Sequence, residues 1–130
     1  MRTIILAIWA LLAPGADRYT DAGRIADAIV AVVGGDEHVA SRMAVYAWKE
    51  SNLRPLVVGD GGRSCGVWQM SCSRVAQLSV QEQAALWLRD VRASSLAAVD
   101  SSAKRAALRT RLAEELLARA HQSMDSSGAP

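Results

Sequence analysis

Phenylalanine is absent from this chain of 130 residues, so its aromatic surface rests on four tryptophans and two tyrosines. Histidine and cysteine are scarce too, with two of each. His38 and His121 lie far from Cys65 and Cys72 and share no ligand spacing with them, so neither a metal nor another cofactor is expected. An excess of one charge sign is also missing, because the formal net charge is only +2. Arginine supplies most of the positive charge, which mildly favours an anionic partner. No basic stripe of the kind that binds nucleic acid appears. No apolar run is long enough to cross a bilayer comfortably, and no segment repeats. With 51% apolar and 22% charged residues, the chain can bury one core and is too short for two. It reads as one compact, monomeric domain.

What is present begins with the first sixteen residues, MRTIILAIWALLAPGA, where Arg2 precedes a ten-residue apolar run ending in small residues. That is the layout of a secretory signal peptide, and export to the periplasm or beyond is the expectation it carries. A short N-terminal anchor or a buried helix are the alternatives, and an uncleaved leader would be the only route to a membrane. Export would suit Cys65 and Cys72, which can close a small loop in an oxidising compartment; two free, buried thiols fit the sequence as well.

Residues 17–123 read as a mainly α domain of the α+β kind, with four helices and a loop-rich insert. Thr20 can cap a helix whose Ile25, Ile29, Val32 and Val33 form an apolar stripe, and Gly34-Gly35 stops it. Asp36 can cap a second helix. Between Asn52 and Gly66 the pattern changes to Pro55, a short Leu56-Val57-Val58 run and Asp60-Gly61-Gly62, which predicts a small β-hairpin or an irregular loop. Ser79 and Glu82 form a capping box for a third helix, with Ala84, Trp87, Leu88 and Val91 on its buried face. A fourth helix from about Ser101 carries the stripe Leu108, Leu112, Leu116 and Ala120. Residues 124–130 then read as a flexible tail.

The second helix holds the best candidate for chemistry. Val39, Met43, Tyr46, Ala47 and Glu50 fall on one helical face, so Glu50 points where core residues point. A carboxylate in apolar surroundings is harder to ionise, and a raised pKa would suit it to act as a general acid.

The run Glu50-Ser51-Asn52-Leu53-Arg54-Pro55, then Gly59-Asp60-Gly61, then Ser64-Cys65-Gly66-Val67-Trp68-Gln69, resembles the signature of the lysozyme-like superfamily, shared by goose-type lysozymes and lytic transglycosylases. The direct match covers about twenty residues, and the order of helices around it agrees with that fold. The resemblance implies cleavage of the β-1,4 bond between N-acetylmuramic acid and N-acetylglucosamine in peptidoglycan glycan strands. Glu50 takes the catalytic acid position, and a proton delivered to the bridging oxygen eases departure of an otherwise poor alkoxide leaving group. By the same resemblance, Ser51 helps to hold the substrate or the glutamate, and Gln69 lines the floor of the sugar groove. Trp68 can stack on a pyranose face.

Animal lysozymes pair the acid with an aspartate just before the glycine of the second half-motif, where this chain carries Ser64. Asp60 is the nearest remaining carboxylate and a candidate second catalytic group, although an aspartate before Gly-Gly is first a turn residue. Lytic transglycosylases need only one acid/base; many of them also carry a late tyrosine, and none follows Gln69 here. Hydrolase and lyase therefore stay open.

Other residues have plainer readings. Met43 and Tyr46 read as core, Trp48 as cover for the helix, and Arg54 and Arg63 as flanks of the presumed groove that can meet muramyl or peptide carboxylates. Two further functions compete: a lysozyme-like module that binds glycan without cutting it, and a small DNA-binding domain using Arg105, Arg109, Arg111 and Arg119. The interleaved Glu114 and Glu115 make that last helix look like a solvated face.

Overall fold

The computed structural model describes residues 1–94 and 101–127, with side chains over 1–93 and 110–124. Six α-helices, three very short strands and two single-turn 3-10 helices, Ala16–Arg18 and Asp60–Gly62, are the regular elements of the described residues: α1 Arg2–Leu12, α2 Ala22–Val33, α3 Glu37–Ser51, β1 Val58–Gly59, β2 Ser64–Cys65, β3 Met70–Ser71, α4 Cys72–Val75, α5 Val80–Ser94 and α6 Ser101–Ser127. The class is mainly α with a small antiparallel sheet, as the sequence predicts.

Helix α3 is the centre of the packing. It lies against α1, α2 and α6, while α5 covers α2. Residues 1–16, expected as a leader, form α1 and a following turn and share one core with the rest of the chain. Ile5, Ile8 and Trp9 are fully buried. The indole Nε1 of Trp9 donates to the Ala44 carbonyl at 2.8 Å, so the helix is fixed to α3 by a directed bond as well as by apolar contact. Among the described residues, no helix is long and apolar enough to cross a membrane.

The capping chemistry decides the helix starts. Asp36 accepts from the Val39 amide at 3.1 Å and opens α3 as expected. The Ser79–Glu82 box is reciprocal, with the Ser79 amide on Glu82 and the Glu82 amide on the Ser79 hydroxyl. For α2 the expectation of a Thr20 cap is corrected: Asp21 occupies the cap position and caps nothing with its side chain. Its carboxylate is engaged by Arg24 at 2.7 Å instead.

On α6, Leu116 and Ala120 are buried and Leu112 half-buried, whereas the side chain of Leu108 lies outside those described. The helix continues through the predicted tail to Ser127, and Met124 packs against the core. Residues 128–130 lie outside the described chain. Arg111, Glu114, Glu115 and Arg119 are exposed, which fits the solvated face; Arg105 and Arg109 belong to the undescribed side chains.

The insert is a sheet of three strands in the order β1-β2-β3, not a hairpin alone. Val58 pairs with Cys65 and Gly59 with Ser64; Ser64 then pairs with Ser71 and Cys65 with Met70. A two-residue ladder has almost no stability of its own. Side chains and a disulfide hold it.

Candidate functional site

Glu50 stands in the last turn of α3, and its surroundings are less enclosed than its helical phase predicts. Met43 and Ala47 on that face are buried, but Glu50 itself is half-buried, because the helix ends one residue later and the chain turns away. The turn is made by Asn52 at φ 51° and Leu53 at φ 60°, two successive non-glycine residues in the left-handed region. Such a conformation costs about 1–2 kcal/mol per residue. It persists because Leu53 is 1% exposed and anchored in the core.

Ser51 is placed differently from expectation. Its hydroxyl donates back to the Ala47 carbonyl at 2.9 Å and is buried, so it secures the end of the helix and presents nothing to a substrate. Trp68 is corrected as well. It is 3% exposed, donates from Nε1 to the Met43 carbonyl at 3.0 Å, and lies 6.4 Å from Trp87 between ring centroids. A buried indole cannot offer its face to a sugar; this one ties the second half-motif to α3.

Asp60 and Ser64 come together. Asp60 begins the β1–β2 turn at φ 51°, is exposed, and accepts from the Ser64 hydroxyl at 2.7 Å. The turn reading holds, and the same carboxylate positions the one side chain that replaces the expected aspartate. Arg63 is exposed beside it.

Gln69, at φ 50°, is half-buried and works as a clamp. Its Nε2 donates to the carbonyls of Val57 at 3.0 Å and Gly66 at 2.9 Å, which joins the first half of the insert to the second. A Cβ on Gly59 would meet its Oε1, so any side chain there would displace the Gln69 amide.

Gly66 is needed twice over. It adopts φ 86°, and a Cβ on it would collide with the Gln83 amide oxygen. Gln83 is the residue that sequence reasoning missed. It is buried on α5, receives the Val67 amide at 3.2 Å and donates to the Leu78 carbonyl at 3.3 Å. A polar residue beside Ala84 on an otherwise apolar stripe is the signal that could have revealed it.

Cys65 and Cys72 form a disulfide across this region, with Cα atoms 4.9 Å apart. The free-thiol alternative is therefore not the state of the molecule. Behind the disulfide, a hollow of about 230 Å³ is lined by Pro55, Val57, Gly66, Val75 and Leu78, away from Glu50.

Among the described residues, no group of three or more His, Cys, Asp or Glu side chains could hold a metal ion. His121 bonds Glu37 at 2.9 Å, where it links α6 to the start of α3.

The arrangement thus defines a mainly α domain in which one half-buried carboxylate stands in the last turn of α3 and a small, heavily cross-tied sheet follows it in the chain. No family model, no curated protein and no solved structure matches the chain.

Proposed function

We propose that this chain is a lysozyme-like enzyme that cleaves peptidoglycan glycan strands at the β-1,4 bond between N-acetylmuramic acid and N-acetylglucosamine, with Glu50 as the proton donor. One observation carries the reading beyond the motif. All four non-glycine residues with positive φ among the described residues, Asn52, Leu53, Asp60 and Gln69, fall in the twenty residues that follow Glu50. Strain of this kind survives only where surrounding contacts over-determine it, and it concentrates at functional sites. Here those contacts are the Gln69 clamp, the Trp68 and Gln83 hydrogen bonds and the disulfide. They brace the segment that follows α3, and such bracing is what a proton donor needs around it if it is to meet a bridging oxygen in fixed geometry.

In the reaction, the Glu50 carboxyl protonates the bridging oxygen as the bond to the anomeric carbon breaks, and the muramyl ring takes on oxocarbenium character. The resulting carboxylate then accepts a proton from the attacking hydroxyl. If that hydroxyl is water, the product has a reducing end, and the Asp60–Ser64 pair is the candidate for orienting the water. If it is the sugar's own C6 hydroxyl, the product is a 1,6-anhydro end. A disulfide persists in an oxidising compartment, so the proposed place of action is the periplasm, the extracellular face, or the wall after phage delivery.

The test is clearance of a purified cell-wall suspension by the full chain and by Glu50→Gln. Loss of a positioned general acid costs typically about 10²–10⁴ in rate. Clearance by the wild type and not by the variant is the expected result; equal clearance would remove Glu50 from the mechanism, and no clearance by either would remove the enzyme.

A further inference from the structure

Leu56 is 92% exposed and Val58 58% exposed, so the insert carries two protruding aliphatic side chains close together in the chain. A lone exposed leucine needs no explanation, but this one stands on the rim of a hollow. The hollow is the one of about 230 Å³ behind the disulfide, and Pro55, Val57, Val75, Ala76 and Leu78 make the rest of its aliphatic wall. Gln83 is the polar side chain that lines it, and its amide already serves the Val67 amide and the Leu78 carbonyl. An apolar group therefore suits the hollow better than a hydrogen-bonding one. A cavity of about 150 Å³ already takes a benzene-sized group, so a leucine side chain has room here. Knob and hole thus lie on one patch. Under a two-fold axis each Leu56 can enter the hollow of the other copy, which is the self-complementarity that an isologous dimer requires. The surrounding charges favour the same occupant. Arg54 and Asp60 bracket the run from Pro55 to Gly59, Arg63 is exposed across the turn, and Glu82 and Arg89 line a neighbouring hollow that shares Leu78. A lipid surface or a nucleic acid calls for one sign of charge, whereas a rim of both signs can pair with its own copy.

We propose that the face formed by β1, the disulfide and the link from α4 to α5 is a two-fold interface between copies of this chain, with Leu56 of each copy seated in the hollow of the other. The partner copy completes a wall that a single chain leaves open. This departs from the monomer expected from the sequence. It stands apart from the glycan-cleaving reading, because Glu50 does not line the hollow.

The experiment is sedimentation velocity of the full chain, disulfide intact, from micromolar to millimolar concentration. The wild type should pass from one copy to two and stop there, because a two-fold contact closes on itself. Truncating an interface anchor costs about tenfold in affinity, and the two-fold counts it twice, so Leu56→Ala should weaken association about a hundredfold. Leu56→Glu should abolish it, since a carboxylate would face an aliphatic wall without a partner. Both variants should melt with the wild type, because Leu56 is exposed in the single chain; that separates lost docking from lost fold. Val30→Glu, at an exposed aliphatic position on α2, should dimerise normally. Seating of the knob is read by cross-linking. Both native cysteines are in the disulfide, so a thiol cross-linker reads only introduced cysteines, and Leu56→Cys mixed with Ala76→Cys should link faster than either protein with itself. A monomer at every concentration, growth beyond two copies, a dimer untouched by Leu56→Glu, or no gain on mixing the cysteine variants overturns the proposal. A monomer that phosphatidylglycerol vesicles carry down, but not once Leu56→Glu is made, would give the face to a membrane and overturn it too.

Discussion

Gly66→Ala should be among the most damaging single-methyl changes in the molecule, and its cost can be worked from the structure. At φ 86° an alanine bears about 1–2 kcal/mol of left-handed strain. Its methyl would then drive into the Gln83 amide, which is buried and cannot retreat without releasing the Val67 amide and the Leu78 carbonyl. An orphaned buried donor adds about 1–3 kcal/mol, so the total is about 2–5 kcal/mol. Urea unfolding followed by circular dichroism measures it. The informative design is a double-mutant cycle with Gln83→Ala. That change alone loses the two hydrogen bonds; once it is made, Gly66→Ala has only its backbone strain left to add, giving a coupling of about 1–3 kcal/mol. Gly61→Ala is the control, since Gly61 has positive φ and an added methyl there would meet nothing within 4 Å. If Gly66→Ala costs no more than Gly61→Ala, or if it is additive with Gln83→Ala, the reasoning about Gln83 as the support of the second half-motif is wrong.

Trp9→Ala should cost about 3–5 kcal/mol in a thermal or urea melt, because it empties a fully buried site and leaves α1 unanchored; a change under 1 kcal/mol would mean that α1 is not part of the core. Reduction of Cys65–Cys72, or replacement of both cysteines by serine, should lower stability by about 2 kcal/mol for so short a loop and should reduce wall-cutting activity with it; unchanged melting would refute a structural disulfide. Acid should destabilise the fold through two identifiable carboxylates. Asp90 is held below the ordinary carboxylate range by its hydrogen bonds from Arg74, and Glu82 is held low by the Ser79 amide and hydroxyl. Carboxyls lowered in the folded state stabilise it above their unfolded pKa of about 4, and that contribution is lost as pH falls through the folded values. The melting temperature should therefore fall on the acid side, and less steeply for Asp90→Asn with Ser79→Ala; an unchanged acid limb would count against these pairs.

How far the sequence reaches depends on the range of the interaction. Helix positions rest on local periodicity and capping, so α2, α3 and α5 are legible in it, as is the turn at Asp60. The cap of α2 is not, because Asp21 prefers Arg24 to a backbone amide, a competition that residue type alone does not resolve. Long-range contacts are the illegible part. Nothing local announces that the Trp68 indole reaches back 25 residues to Met43, or that Gln83 sits under Gly66. For the same reason Trp68 and Ser51 read as groove residues and are buried ones. For the first sixteen residues composition makes no choice between a leader and a core helix, since an apolar run with a basic start suits both. The half-burial of Glu50 is hidden too, because helical phase gives a direction and not the distance to the helix end.

The proposed reaction breaks a glycosidic bond with a proton supplied by Glu50. Mass spectrometry of the soluble products from purified glycan strands tests this most directly, because it reads the new chain ends. Muramyl-terminated fragments, with either reducing or 1,6-anhydro ends, are expected from the wild type and none above background from Glu50→Gln. Intact strands after prolonged incubation with the wild type, or the same fragments from both proteins, would contradict it.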